Sequence, residues 1–326
     1  MHVNRRALLI AAAAAGSAAA ARPALAAGPT PGVASAVERF AALPATASCL
    51  IDAADPKGGW TAGHDPAAVL FIGSAVKTFI LAQYLREVEA GRLSESDQRP
   101  IDDAVRSPSS PVFLNLSGTT PARSVLEAMI AHSDNTATDV ALAAVGPAKV
   151  RALIKESGLT ATRIPDSTRR LFSFLAGAPA GSDLGWQEMQ RLATAAPAGK
   201  TRSPINDTET MVSSAEEMVR WYRTALQAGF FAKPETFVEF KRIQAMADSL
   251  ALVVPPDTAA YGKGGSIDWG GFHCFCLAGQ MITRQVPVTF CFTINWTGPD
   301  DSVASVFPAY KTAVADVLRE AAQALA

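Results

Sequence analysis

Three stretches near the end of the chain, AYGKGGSIDW (260–269), GFHCFCLAGQMI (271–282) and VPVTFCFTINW (286–296), most narrow what it can fold into. Each is short, rich in β-branched and aromatic residues, and set off from the next by turn residues, a pattern that predicts an antiparallel meander. Another strand, ASCLIDA (47–53), lies far upstream and ends in the turn Asp55-Pro56-Lys57-Gly58-Gly59. A short amphipathic helix, PGVASAVERFAAL (31–43), precedes that strand, and a longer one, SVFPAYKTAVADVLREAAQAL (305–325), closes the chain. The sheet is therefore expected between terminal helices.

The middle of the chain reads as helical. AVLFIGS (68–74) leads into a helix from about Ser74 to Ala90, ended by Gly91. In it Val76, Ile80, Tyr84 and Val88 recur every four residues, and Leu81 and Leu85 add a second apolar stripe, the pattern of a buried helix. Thr120-Pro121 suits the N-cap and first turn of a helix over 121–131. NTATDVALAAVG and PAKVRALIKESG are further helices, each closed by glycine. Between about 160 and 212 periodicity fades into Pro, Gly, Ser and Thr, with one candidate helix at GWQEMQRLATA (185–195). Long irregular segments in compact domains often carry function. Ser214 to Glu217 reads as a capping box ahead of AEEMVRWYRTALQAG. The expected fold class is α/β in the α+β sense. An antiparallel sheet with its terminal helices (about 31–73 and 213–326) receives an inserted all-helical region (about 74–212).

The first 26 residues hold Arg5-Arg6, an Ala/Leu-rich apolar run and the small-x-small site Ala24-Leu25-Ala26. That is the pattern of a cleaved secretory signal, and Arg5-Arg6 resembles a twin-arginine export signal. The catalytic domain would then be 27–326, without a stable membrane anchor, in the periplasm or outside the cell. The signal contains three of the 29 basic residues and no acid, so the remainder, with all 30 acids, is modestly acidic. A chain that is not a polycation argues against nucleic acid as a partner. The four histidines show no metal-ligand spacing, and neither a metal nor a cofactor is implied. All four cysteines lie in strand-like stretches. Cys274 and Cys276 share one strand face and are badly placed to bond each other, whereas a Cys49–Cys291 disulfide is open in an oxidising compartment. No exposed heptad suggests a coiled coil, and a monomer acting on a small molecule is expected.

Three short motifs carry the chemistry. Ser74 and Lys77, in FIGSAVKTFIL (71–81), form the only Ser-x-x-Lys pair. A seryl hydroxyl needs a base before it can attack. Residues at i and i+3 of a helix lie side by side, and burial of Lys77 would lower its pKa enough to serve. Free N–H groups at the start of a helix suit a developing oxyanion. The second motif, Ser133-Asp134-Asn135, sits at a helix junction, where it could relay a proton and hold an amide or simply act as an N-cap. The third, Lys263-Gly264-Gly265, lies on a predicted strand whose glycines would let a substrate lie against its edge, with a carboxylate near the ammonium. An ordinary bulged hairpin is its structural alternative.

Together, Ser-x-x-Lys, Ser-Asp-Asn and Lys-Gly-Gly resemble the signature of class A β-lactamases and penicillin-binding proteins. The order of elements is similar too, over roughly residues 31–324. The resemblance implies a β-lactamase/transpeptidase-like fold and a serine hydrolase in which Ser74 is acylated and Lys77 activates it. Ser133 would pass a proton to the leaving nitrogen, Asn135 would bind the substrate amide, and Lys263 would anchor its carboxylate. The backbone N–H groups of Ser74 and Ser266, beside Gly265, would form the oxyanion hole.

Two departures stand out. The family's omega loop carries a Glu that activates the deacylating water. Here TATRIPDSTRRLFSF places Thr168 at that position and Phe172 where an Asn is usual. Asp166, Glu188 and Glu209 are the candidate substitutes. Gly264 replaces the usual Thr or Ser, deleting a hydroxyl for the substrate carboxylate that Ser266 would in part supply. The resemblance thus implies a complete acylation apparatus and a persistent acyl-enzyme. SDNTATD and KGGS are also similar to a subgroup in which esterase activity accompanies weak β-lactam turnover. A penicillin-binding, peptidase- or esterase-like envelope enzyme is therefore the alternative to a β-lactamase.

Overall fold

A computed structural model describes residues 28–56, 58–194 and 201–325. Helix α1 (Pro31–Ala41) leads into β1 (Thr46–Ala53), β2 (Trp60–His64) and β3 (Val69–Phe71). After a 3-10 turn (Gly73–Val76) come α2 (Lys77–Glu89), β4 (Gln98–Ile101), β5 (Gly118–Pro121), α3 (Ala122–Ala131), α4 (Asn135–Val145) and α5 (Pro147–Glu156). Next are α6 (Thr168–Leu175), α7 (Gly185–Thr194), β6 (Val212–Ser214), α8 (Ala215–Ala225) and α9 (Pro234–Gln244). A second 3-10 turn (Asp248–Leu252) precedes β7 (Ala259–Trp269), β8 (Phe272–Thr283), β9 (Val286–Thr297) and α10 (Val303–Ala324).

The main sheet runs β2-β1-β9-β8-β7 and is antiparallel throughout. The expected meander supplies three adjacent strands, and β1 adds to its β9 edge. One face carries α1 and α10: Phe40 packs edge-on to Phe292 at 5.3 Å, and the Tyr310 hydroxyl donates to the Phe292 carbonyl at 3.0 Å. The other face carries α8, which joins the sheet to the helical region. There Trp221 packs at a tilt against Phe79 of α2, with ring centroids 4.6 Å apart, and donates its indole N–H to Thr78 at 3.0 Å. Buried aromatics of this size each contribute a few kcal/mol, which outweighs any surface pair in holding the two regions together. The chain passes between them at the antiparallel pair β3–β6. Among the described residues, the inserted region carries helices α2 to α7 and one antiparallel pair, β4–β5.

Several expectations change on contact with the structure. Thr120 is not an N-cap, because it pairs with Arg99 inside β5 and Pro121 takes the cap position. The Ser214 box is half formed. Ser214 caps the Glu217 N–H, but the Glu217 carboxylate turns away to accept the N–H groups of Thr160, Ala161 and Thr162. Ser74 lies on the 3-10 turn, and the α-helix begins at Lys77. Helix α6 falls in the stretch read as irregular. The Cys49–Cys291 disulfide is not formed, and all four cysteines are free and buried. Leu50 faces Cys291 across the ladder, so Cys49 and Cys291 point to opposite sides of the sheet. Residues 1–26, read as an export signal, lie outside the described residues.

Candidate active site

The nucleophile candidate is held by backbone fitted to backbone. Gly73 has φ of +53°, and a Cβ there would stand 2.9 Å from the Ser266 nitrogen. A Cβ at Gly265 would stand 2.0 Å from the Ile72 oxygen and 2.8 Å from the Ser74 nitrogen. Only glycine at both positions lets β7 lie directly on the turn that carries Ser74. Upstream, the Asn295 side chain accepts the Phe71 N–H at 2.8 Å and donates to its carbonyl at 2.9 Å, fixing the entry to the turn. Both Phe71 groups are buried with it. Asn295→Leu is therefore expected to destabilise the protein by about 2–4 kcal/mol, measured by urea unfolding.

Lys77 is fully buried. Its ammonium donates to the Ser133 carbonyl at 2.6 Å, to Asn135 Oδ1 at 2.7 Å and to Ser133 Oγ at 3.3 Å. Burial, and then the positive charge of Lys263, push its pKa well below the usual lysine range, against the opposing pull of Asp134 and Asp139. Lys263, also buried, donates to the Gly264 carbonyl at 2.9 Å and is lowered to about 8, chiefly by burial. A neutral Lys77 serving as base and a charged Lys263 serving as anchor would give a bell-shaped pH dependence. Acylation is expected to rise as Lys77 loses its proton and to fall as Lys263 loses its own near pH 8, and stopped-flow rates from pH 5 to 10 check this. By linkage, folding stability attributable to Lys263 increases as pH rises from about 8 toward the unfolded lysine value.

Ser133 has φ of +57°, a strained conformation for serine that aims its carbonyl at Lys77. The middle acid of the motif holds structure. Asp134 caps α4 at the Ala137 N–H (2.7 Å) and accepts the N–H groups of Val112 and Phe113 at 2.8 and 2.9 Å. Asn135 is tied at both ends, to Lys77 and, through Nδ2, to the Pro108 carbonyl at 2.8 Å. Ser74, Ser133, Asn135 and Ser266 line one groove of about 550 Å³, with Phe172 and Asp268 along its walls. Lys263 and Gly265 line a smaller cavity of about 190 Å³ that shares Ser133 and Ser266. The structure thus gathers every predicted site residue into one region.

The departures have local causes. A side chain at Gly264 would meet Ser249, whose Oγ lies 2.7 Å from the position of a Cβ there. Ser249 thus occupies space beside the strand that the usual Thr or Ser at 264 would need. Thr168 begins α6 and is buried, while Phe172, one turn later, lines the groove. None of the three substitute acids lines it. Asp166 pairs with Arg151 and Arg170, Glu188 with Arg191 on the surface, and Glu209 with the Asp166 N–H and Arg170. Sequence reading missed Asn295, Ser249 and Asp139. The only amide in β9 was the available signal for Asn295 and the only acid in α4 the signal for Asp139; Ser249 had none. Among the described residues, no group of three or more His, Cys, Asp or Glu is placed to hold a metal.

The fold is shared with solved structures at low identity. PBP-A matches with a TM-score of 0.68 at 17% identity, over 92% of this chain and 97% of that one. A β-lactamase from Sphaerobacter thermophilus matches at 0.68 and 19%, over 90% and 96% of the two chains. One from Xanthomonas campestris pv. campestris matches at 0.67 and 18%, over 90% and 99%. No curated protein matches. The model of the Beta-lactamase enzyme family matches residues 36–270, most of the chain and all three motifs. On that match, this chain belongs to the Beta-lactamase enzyme family.

Proposed function

We propose that this protein is a serine hydrolase that opens an amide or ester, with a β-lactam ring as first candidate, through an acyl-enzyme on Ser74. The observation that carries the reading is the buried Lys77 amine, three residues along the chain from Ser74 and within hydrogen-bond distance of Ser133 and Asn135. Lys77 takes the Ser74 proton as Oγ bonds to the substrate carbonyl carbon. The N–H groups of Ser74 and Ser266 receive the developing oxyanion, the largest single term in many acyl transfers. Ser133 passes the proton to the leaving atom. Asn135 has a second amide hydrogen for a substrate carbonyl, and Lys263 supplies charge for a carboxylate. A cavity of about 810 Å³ adjoins the groove through Leu114, Phe172 and Asp268, and its Trp186, Met189 and Trp269 suit an apolar acyl side chain.

None of the candidate acids of the omega-loop region lines the groove, which favours slow release, and with it the alternative of a penicillin-binding, peptidase- or esterase-like envelope enzyme. PBP-A, one of the structural neighbours, has been solved as a mutant acyl-enzyme complex with penicillin G. We also propose that the protein is exported through its first 26 residues and acts as a monomer. The kinetic test is rapid mixing with a penicillin and, separately, with an aryl ester. A burst close to one equivalent followed by a slow steady state is expected for at least one of them. Absence of a burst and of turnover with both classes would contradict the reading.

A further inference from the structure

At the far end of the groove wall a buried histidine is held between two acceptors and takes no part in the chemistry above. Asp268, His273 and Trp296 stand side by side across β7, β8 and β9. His273 is buried, with Asp268 Oδ1 2.8 Å from Nδ1 and the Gly298 carbonyl 3.0 Å from Nε2. Neither a carboxylate nor a carbonyl can donate, so both ring nitrogens must carry hydrogen. Were the shared proton to sit on Asp268 instead, the pair would be equally neutral. The Trp296 ring stacks on the imidazole at 4.9 Å, and among the described residues the other charged group bearing on it is Asp300, in the turn after β9. Burial works against the imidazolium, but the bonds to Asp268 and Gly298 and the two negative charges outweigh it and hold the His273 pKa above the ordinary histidine value.

Asp268 also faces the substrate side. It is exposed, lies two residues beyond Ser266 on the edge strand β7, and lines both the groove with Ser74 and the 810 Å³ cavity. It is the only acid lining either space. Arg106 lines the larger one, but its guanidinium is taken up by the Leu114 and Leu116 carbonyls, Ser117 and Asp103. When His273 loses its proton, one N–H remains for two acceptors, and the wall gains a negative charge whichever bond survives.

We propose that His273 is a positioning residue that sets the charge of the acyl-side wall. With its proton it neutralises Asp268, and the site takes acyl side chains with or without an anionic group; without it, the bare Asp268 carboxylate turns anionic side chains away. The inference rests on the acyl-enzyme reading, with the larger cavity as the place of the acyl side chain.

The test uses two penicillins that differ by one carboxylate, with phenylacetyl and α-carboxyphenylacetyl side chains, compared by second-order acylation rate from pH 6 to 9. Lys77 and Lys263 serve both substrates alike, so their titrations divide out of the ratio. The ratio of the carboxylated to the plain penicillin is expected to fall by about 3- to 10-fold in one step above about pH 6.5, the scale of one added charge near a protein surface. In Asp268→Asn the step should vanish. In His273→Gln, uncharged at every pH, the ratio should stay at its low, high-pH value. A wild-type ratio that does not change with pH would overturn the proposal. So would a step that survives in Asp268→Asn, the sign that another group, such as His132 in the groove, is titrating. If His273→Gln does not fold, Asp268→Asn, altered at an exposed side chain, carries the test. Aryl esters of the same two acids replace the penicillins if only esters acylate the chain. Acylation without the step overturns this inference alone, whereas a chain acylated by neither class overturns the acyl-enzyme reading and the inference with it.

Discussion

Ser74→Ala is expected to abolish the burst and the steady state together, with turnover falling by roughly 10⁴- to 10⁶-fold, the scale seen when a nucleophile is removed from a cooperating set. The size follows from the geometry. In the proposed mechanism Lys77, itself bonded to Ser133, and the two backbone N–H groups assist a covalent step at the Ser74 oxygen, and without that oxygen there is no such step. Alanine fits the half-buried position on the 3-10 turn, so thermal unfolding should change little. Ligand affinity should survive, because Asn135, Lys263 and Ser266 are untouched. Progress curves of ester or β-lactam hydrolysis, read beside a binding titration, separate loss of chemistry from loss of fold. Residual turnover within tenfold of wild type would mean that another group attacks.

Gly265→Ala is expected to be nearly as damaging by a different route. Its Cβ would lie 2.0 Å from the Ile72 oxygen, 2.7 Å from the Ala75 nitrogen and 2.8 Å from the Ser74 nitrogen. All three are backbone atoms, so no side chain can swing aside, and strand β7 must move off the turn. Overpacking of this kind costs about 1–3 kcal/mol, and more where the neighbours are rigid. For a domain of about 300 residues, a loss of about 3 kcal/mol lowers Tm by roughly 5 °C. The same displacement separates the Ser266 amide from Ser74, and loss of one oxyanion donor costs about 10²- to 10³-fold in rate. Differential scanning calorimetry and burst kinetics on the same sample check both effects. A variant with wild-type Tm and burst rate would show that the strand and turn do not bear on each other.

The parts of the fold that were legible in the sequence are those set by neighbours in the chain. The three closing strands announce themselves by composition and turns, and they pair in register from Ala259↔Ile282 and Phe272↔Thr297 onward. Helix α2 follows from its four-residue repeat. The motifs were legible as residue types, but Gly265 read as room for a substrate, whereas it is the backbone of the Ser74 turn that lies against it. What was not legible depends on distant partners. Helix α6 has the sequence TRRLFSFL, in which a buried Arg169 breaks the apolar pattern. That arginine is paid for by Asp183 and by the carbonyls of Asp103, Ala104 and Arg106, none of them local. Thr120 has an N-cap side chain, but pairing with Arg99 overrides the local preference. The capping-box carboxylate of Glu217 is drawn away by three N–H groups more than fifty residues earlier. Ser249 reaches Gly264 from a separate turn, so the missing motif hydroxyl and the residue beside it are unrelated in the sequence.

The central claim is that Ser74 is a live nucleophile, and intact mass spectrometry of the protein mixed with a penicillin tests it most directly. The account predicts a one-to-one adduct that equals the mass of the added penicillin, maps to the peptide containing Ser74, and is missing from Ser74→Ala. An adduct of the same mass on Ser74→Ala, or one that maps to another residue, would contradict it.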